Sequence, residues 1–147
     1  MKKKEDVYKT IRKDKRFTIL TEILEITGIG EAMSTEQEAF TFFAPIDSAF
    51  QNMGEKTLLL VRSPEGIGML SAILGRHLVP KKYLYSNDLR IRKSVKTLHG
   101  ADLKITNEAN ILQLDGAHIL LPGIASSNAM VFPVDKVLPI KRIATMA

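Results

Sequence analysis

A chain of 147 residues, 45% apolar and 25% charged, has the composition of one globular domain, long enough to bury about two-thirds of its unfolded surface. It contains no cysteine, which excludes disulfides, thiolate metal sites and a cysteine nucleophile. No apolar run approaches the roughly 20 residues that a membrane-spanning helix needs.

The formal charge of +5 is unevenly placed. Residues 1–16 hold eight basic side chains (Lys2, Lys3, Lys4, Lys9, Arg12, Lys13, Lys15, Arg16) against Glu5, Asp6 and Asp14, which accounts for the whole excess. A smaller basic stretch comprises Arg76, Lys81, Lys82, Arg90, Arg92, Lys93 and Lys96, with Asp88 the one acid among them. Met1 to Lys4 resembles the basic start of a secretory signal, but Glu5-Asp6 stands where an apolar segment would follow. The expectation is therefore a cytosolic protein, or a mature fragment restarted with methionine. There is no Asn-x-Ser/Thr sequon to accept an N-linked glycan.

In chain order, Val7, Tyr8 and Ile11 recur at helical spacing and predict a short amphipathic helix. Asp14 is placed to cap a second helix carrying Phe17, Leu20 and Leu24 on one stripe with Ile19, Ile23 and Ile26 beside it, ended by Gly28 and Gly30. Ser34 to Glu38 reads as a loop. Thr41-Phe42-Phe43 is a short buried strand that Pro45 ends, because proline has no N–H to donate. Asp47 then stands where it can cap a new helix by accepting from the N–H of Ala49 or Phe50. Leu58 to Val61 reads as helix, and Ser63-Pro64-Glu65 as the start of another that buries Met69, Leu70, Ile73 and Leu74 and stops at Gly75.

His77-Leu78-Val79 reads as a strand closed by Pro80, and Ser86-Asn87-Asp88 as one helical turn. From Val95 the apolar period changes to two. Leu103 and Ile105, then Leu112 and Leu114, predict paired strands linked by a hairpin at 107–110. Asp115-Gly116 marks a second turn, and residues 130–138 the last strand, with Pro133 confining it to an edge or a bulge. Helices come mainly from the N-terminal half and meandering strands follow. That order predicts an α+β fold with antiparallel strands, in one domain over 1–147.

Three stretches together resemble a fasciclin-like adhesion domain: Thr41 to Phe50, Gly75 to Pro80, and Asn128 to Pro139. The resemblance implies a wedge of β-strands with helices packed on it, found mostly on secreted, matrix or cell-surface proteins. It also implies that Asp47 and Asp135 are structural groups accepting backbone hydrogen bonds. The chain departs from the family pattern at Ile46 (threonine), Arg76 (tyrosine), Ala129 (glycine) and Phe132 (histidine). Pro122-Gly123-Ile124 resembles the Pro-Asp-Ile segment credited with integrin contact in animal members. Gly123 lacks that carboxylate, so animal-type integrin binding is not expected.

His77, His99 and His118 show no metal-ligand spacing, and His77 reads as a structural histidine whose ring hydrogen-bonds at the core edge; no Gly-x-Ser-x-Gly elbow occurs, and Gly66-Ile67-Gly68 lacks the rest of a dinucleotide fingerprint. The expectation is a protein that is not an enzyme and uses no cofactor or metal. It is a secreted or cell-surface module that holds another protein or a surface polymer, with any export signal or anchor outside these residues. Its contact surface is expected at Arg76, His77, Lys81 and Lys82 together with Gly123 and Ile124. The alternative is electrostatic attachment of Lys2 to Arg16 to an anionic glycan or lipid surface. Nucleic acid is not expected, because no aromatic residues interleave the charges.

Overall fold

A computed structural model describes residues 4–54, 59, 63–64, 66–98 and 102–138. The predicted helix over Leu58 to Val61 lies outside them except at Leu59, and so do Lys2, Lys3, Glu65 and His99.

Four helical segments open the chain. Helix α1 (Val7–Lys13) is capped by Asp6, whose carboxylate accepts from Lys9 N. Asp14 accepts from Arg16 N and so caps the short 3-10 turn Lys15–Phe17, not the following helix. Helix α2 (Thr18–Thr27) presents Leu20, Ile23 and Leu24 to the core and ends at Gly28. Helix α3 (Ile29–Ser34), which the sequence did not announce, packs back on α1. A Cβ at Gly30 would stand 2.6 Å from the Tyr8 ring, so any larger residue there would have to push that ring aside. Val7 and Ile11 are fully buried, which makes the basic N-terminal helix part of the core.

Strand β1 (Phe40–Pro45) leads into α4 (Asp47–Gln51). Helix α5 (Gly66–Arg76) starts from the Ser63–Pro64 turn and runs through Gly75, where a stop was expected. Then come β2 (Leu78–Val79), α6 (Ser86–Ile91), β3 (Ser94–Lys96), β4 (Asp102–Glu108), β5 (Ile111–Leu114), β6 (Ala117–His118), β7 (Ile124–Ala125) and β8 (Ala129–Val134).

The strands form two sheets, ordered β2-β1-β8-β7 and β3-β4-β5-β6. The class is the expected mixture of helices and mostly antiparallel strands. The central pair is parallel, however, with Phe40 opposite Ala129 and Pro45 opposite Val134. Pro45 and Pro133 both lie inside this ladder. Pro133 O accepts from Leu120 N, on the side away from β1, so its missing N–H also points outward and the β1–β8 bonds lose nothing.

Every residue of β1 and β8 is buried because both faces of the first sheet are covered. Phe40, Phe42, Ala44, Ala129 and Val131 meet the helices, among them Phe17, Leu24 and Leu74. Phe43, Met130, Phe132 and Val134 point the other way, onto Val95, Leu103, Leu112 and Leu114 of the second sheet. The result is three layers: helices, first sheet, second sheet. Phe43 and Phe132, opposite each other in the ladder, stack with centroids 5.8 Å apart. Phenylalanine in the place of a polar residue at 132 therefore adds to the inter-sheet core.

Candidate functional site

The structure encloses Arg76 and His77, which sequence reading places on a contact surface. Because α5 continues one residue past Gly75, Arg76 is turned inward, only 8% exposed. Its guanidinium lies 3.5 Å from Asp115 of the β5–β6 turn, and its Nε finds no acceptor among the described residues. His77 is wholly buried. Leu138 N donates to its Nε2 at 3.0 Å, which assigns the proton to Nδ1, and Nδ1 donates to Ile73 O at 2.7 Å. Burial pushes the imidazole pKa down to about 4, so the ring is a neutral bridge from α5 to the chain beyond β8. Neither side chain is open to a partner in this fold.

Lys81 and Lys82 are exposed. Their loop is fixed from both sides. Thr41 Oγ1 donates to Lys82 O at 2.6 Å and accepts from Leu84 N at 2.9 Å. Tyr83 Oη donates to Ser126 O at 3.0 Å. Burial holds the Tyr83 phenol above its ordinary pKa, so it keeps the proton it donates. That bond joins the Lys81–Lys82 loop to the β7–β8 turn, two stretches that are 43 residues apart at the bond.

Asn128 lies at the same end of the first sheet, where its carbonyl accepts from Phe40 N. Its Oδ1 accepts from Val7 N, and its Nδ2 donates to Met33 O and to Glu36 O. One amide thereby ties the N-terminal helix, the end of α3 and the β7–β8 turn. A buried or half-buried Asn with three segments around it leaves no periodic signal in sequence.

Gly123 and Ile124 sit toward the other end of β7, half-buried, with Ile124 opposite Val131. A Cβ at Gly123 would meet the Phe132 ring at 2.7 Å, so the glycine that lacks the family's carboxylate is the residue this packing admits. The loop carrying them is hydrogen-bonded to the Lys81–Lys82 loop at its far end, through Ser126.

Beside the Lys81 loop lies an apolar cleft of about 610 Å³. Its apolar lining includes Phe40 and Phe42 of β1, Met33 of α3, Leu74 of α5, Leu78 of β2 and Leu98. Glu36, Glu38 and Lys81 bring charge to its rim. Leu98 is 54% exposed yet anchored, its N–H donating to Leu78 O at 2.8 Å. No run of sequence points to this cleft, because four separate elements line it.

Asp47 accepts from Ile19 N at 2.8 Å, so it caps α2 from 28 residues away and not its own helix as expected. Asp135 accepts from His118 N at 2.8 Å, and its other oxygen lies 3.0 Å from His118 Nδ1. With the Ile119–Val134 bridge this pins the edge of the second sheet to the end of β8. Among the described residues no three His, Asp or Glu side chains come close enough together to hold a metal ion, and no helix is long and apolar enough to cross a membrane.

The fold is that of a FAS1 domain. It superposes on a FAS1 domain pair from the insect cell adhesion molecule fasciclin I with a TM-score of 0.76 at 16% identity, over 94% of this chain and 52% of that one. The sequence matches the Fasciclin domain family over residues 15–140, and the chain belongs to that family. Curated relatives include the immunogenic protein MPB70 of Mycobacterium bovis, 29% identical over 99 residues, 67% of this chain and 49% of that protein. The cell surface glycolipoprotein MPB83 of Mycobacterium bovis is 29% identical over 99 residues, 67% of this chain and 43% of the relative. Stabilin-2 of Rattus norvegicus is 27% identical over 105 residues, 71% of this chain and 7% of the relative. The chain spans about half the length of the first two, or less.

Proposed function

We propose that residues 1–147 act as one non-catalytic binding module, displayed at the cell surface or outside the cell, that holds another protein or a surface polymer. The observation that carries this reading is the Tyr83–Ser126 bond, which locks two exposed loops into one rigid face bearing Lys81, Lys82 and Ser127. Loops held on a rigid frame are where binding groups concentrate. The resemblance to relatives described as a cell surface glycolipoprotein and a cell adhesion molecule supports the location. Buried His77 and Arg76 serve this face by holding its base in place. Gly123 offers no acid to an integrin's metal ion, so the partner is read through Lys81, Lys82 and the backbone around Ser127.

Attachment through the basic N-terminal segment is the weaker reading. Lys13 is ion-paired with Glu5, Arg16 with Asp14 at 2.8 Å, and the Arg12 guanidinium lies 4.7 Å above the Tyr8 ring. Asp14 in turn is held below the usual carboxylate range by its bond from Arg16. Three of these cations are thus engaged within the fold.

The test uses beads coated with the full chain and a cell-envelope preparation of the producing organism. Lys81→Glu with Lys82→Glu is expected to lower attachment at least tenfold while leaving the melting temperature unchanged, since both side chains are exposed. Attachment that survives this change but is lost on neutralising Lys4, Lys9 and Lys15 would overturn the assigned face.

A further inference from the structure

The cleft between α3 and α5 has the size and character of a small-molecule site, apolar throughout its floor with few polar groups at one end. Those polar groups are of both signs. Strand β1 pairs Phe42 with Leu78 and Thr41 with Val79, so Glu38 and Lys81, both in the lining, lie beyond the same end of that pairing. Lys81 forms no ion pair among the described residues, and its backbone sits at φ 63°, a left-handed conformation that a side chain adopts at a cost. Glu36 accepts from Glu38 N at 3.1 Å, which fixes the acidic turn against the cleft mouth. Leu78, opposite Phe42, and Leu98, whose N–H donates to Leu78 O, make the other end of the lining apolar, and Ala32 of α3 is an exposed residue of the lining.

We propose that this cleft binds a single-chain amphiphile with a zwitterionic head. The chain lies over Phe40 and Phe42 toward Leu78 and Leu98, the anionic group of the head meets Lys81 Nζ, and the cationic group meets Glu38. A purely anionic head would face Glu36 and Glu38, and a purely cationic one would face Lys81. A head with both charges satisfies the rim without leaving either unpaired. The site goes beyond the adhesive face described above and shares only Lys81 with it. Selectivity among head groups separates the two, because a protein-binding face has no reason to show it.

The experiment is calorimetric titration of the full chain, below micellar concentrations, with three probes of one chain length: myristoyl-lysophosphatidylcholine, myristate and monomyristoylglycerol. Amide chemical shifts locate the site. The expected result is one lysophosphatidylcholine per chain, shifts centred on Ala32, Leu78 and Leu98, and about tenfold tighter binding than either other probe. Shortening the acyl chain by two methylenes should weaken it about tenfold. Lys81→Asn, which tolerates the left-handed backbone, and Glu38→Gln should each remove most of the head selectivity. Leu98→Asp and Ala32→Trp alter exposed positions and should abolish binding with the fold retained. Absence of saturable binding, equal affinity for all three heads, or shifts elsewhere would overturn the proposal. So would a dimer by sedimentation that Leu98→Asp dissolves, since that would give the cleft to a second copy of the chain.

Discussion

His77 carries two protein hydrogen bonds that require a neutral ring, and it has no exposed surface through which to take up a proton. Its pKa in the folded chain, about 4, lies below the ordinary value of 6.5. As pH falls below 6.5 the unfolded chain binds the proton first, so stability is complete above that value and declines on the way down to about 4. The full loss is about 3 kcal/mol. Urea unfolding followed from pH 7 to pH 4 should show this decline, and His77→Gln, which can donate and accept at the same places without titrating, should remove most of it. An unchanged pH profile in that variant would assign the acid sensitivity to other groups. A structural role for this histidine, its ring hydrogen-bonded at the core edge, was legible in the chain; the enclosure of Arg76 beside it was not, since arginine is rarely enclosed without a partner. The partner is Asp115, 39 residues on, and nothing local announces it.

Elements were legible where a local rule was sufficient. The 3.6 period gave α1 and α2, and the change to a period of two gave β4 and β5 with their connecting turns. Even there the turn chemistry is finer than its signal. Ala109 and Asn110, the two residues between β4 and β5, have φ of 52° and 66°. That is the left-handed pair a two-residue hairpin needs, with alanine at a position that favours Asn, Asp or Gly. Ala109→Gly should raise stability by about 1 kcal/mol, read as a higher urea midpoint at unchanged slope. Asp115-Gly116, at φ 51° and 93°, already has the residues its turn demands. Helix capping shows where local rules stop. An acid after Pro45 reads as the cap of its own helix, yet its carboxylate serves the first turn of α2. Asp47→Ala should therefore cost about 1–2 kcal/mol and loosen α2, with faster amide exchange at Ile19 and Leu20 and little change in α4. Faster exchange confined to α4 would restore the local reading.

At the scale of the whole molecule, the α+β class and the order of helices before strands could be read from the chain, because composition and periodicity vary along it. The parallel pairing of β1 with β8, the cleft and the Asn128 junction could not. Each is assembled from segments whose separation in sequence leaves no pattern, and each is decided by what fits against the first sheet. The two-sided burial of that sheet explains why its central strands carry phenylalanine on alternate faces and why a one-residue slip would put Phe42 and Phe43 into each other's layers. The same pairing has a consequence for how the protein is made. Phe40 and Ala129 are neighbours in the ladder though 89 positions separate them, so β1 leaves the ribosome long before its companion exists. Until then a run of bare aromatic residues waits in the open, and its safekeeping falls to the early helices or to a chaperone.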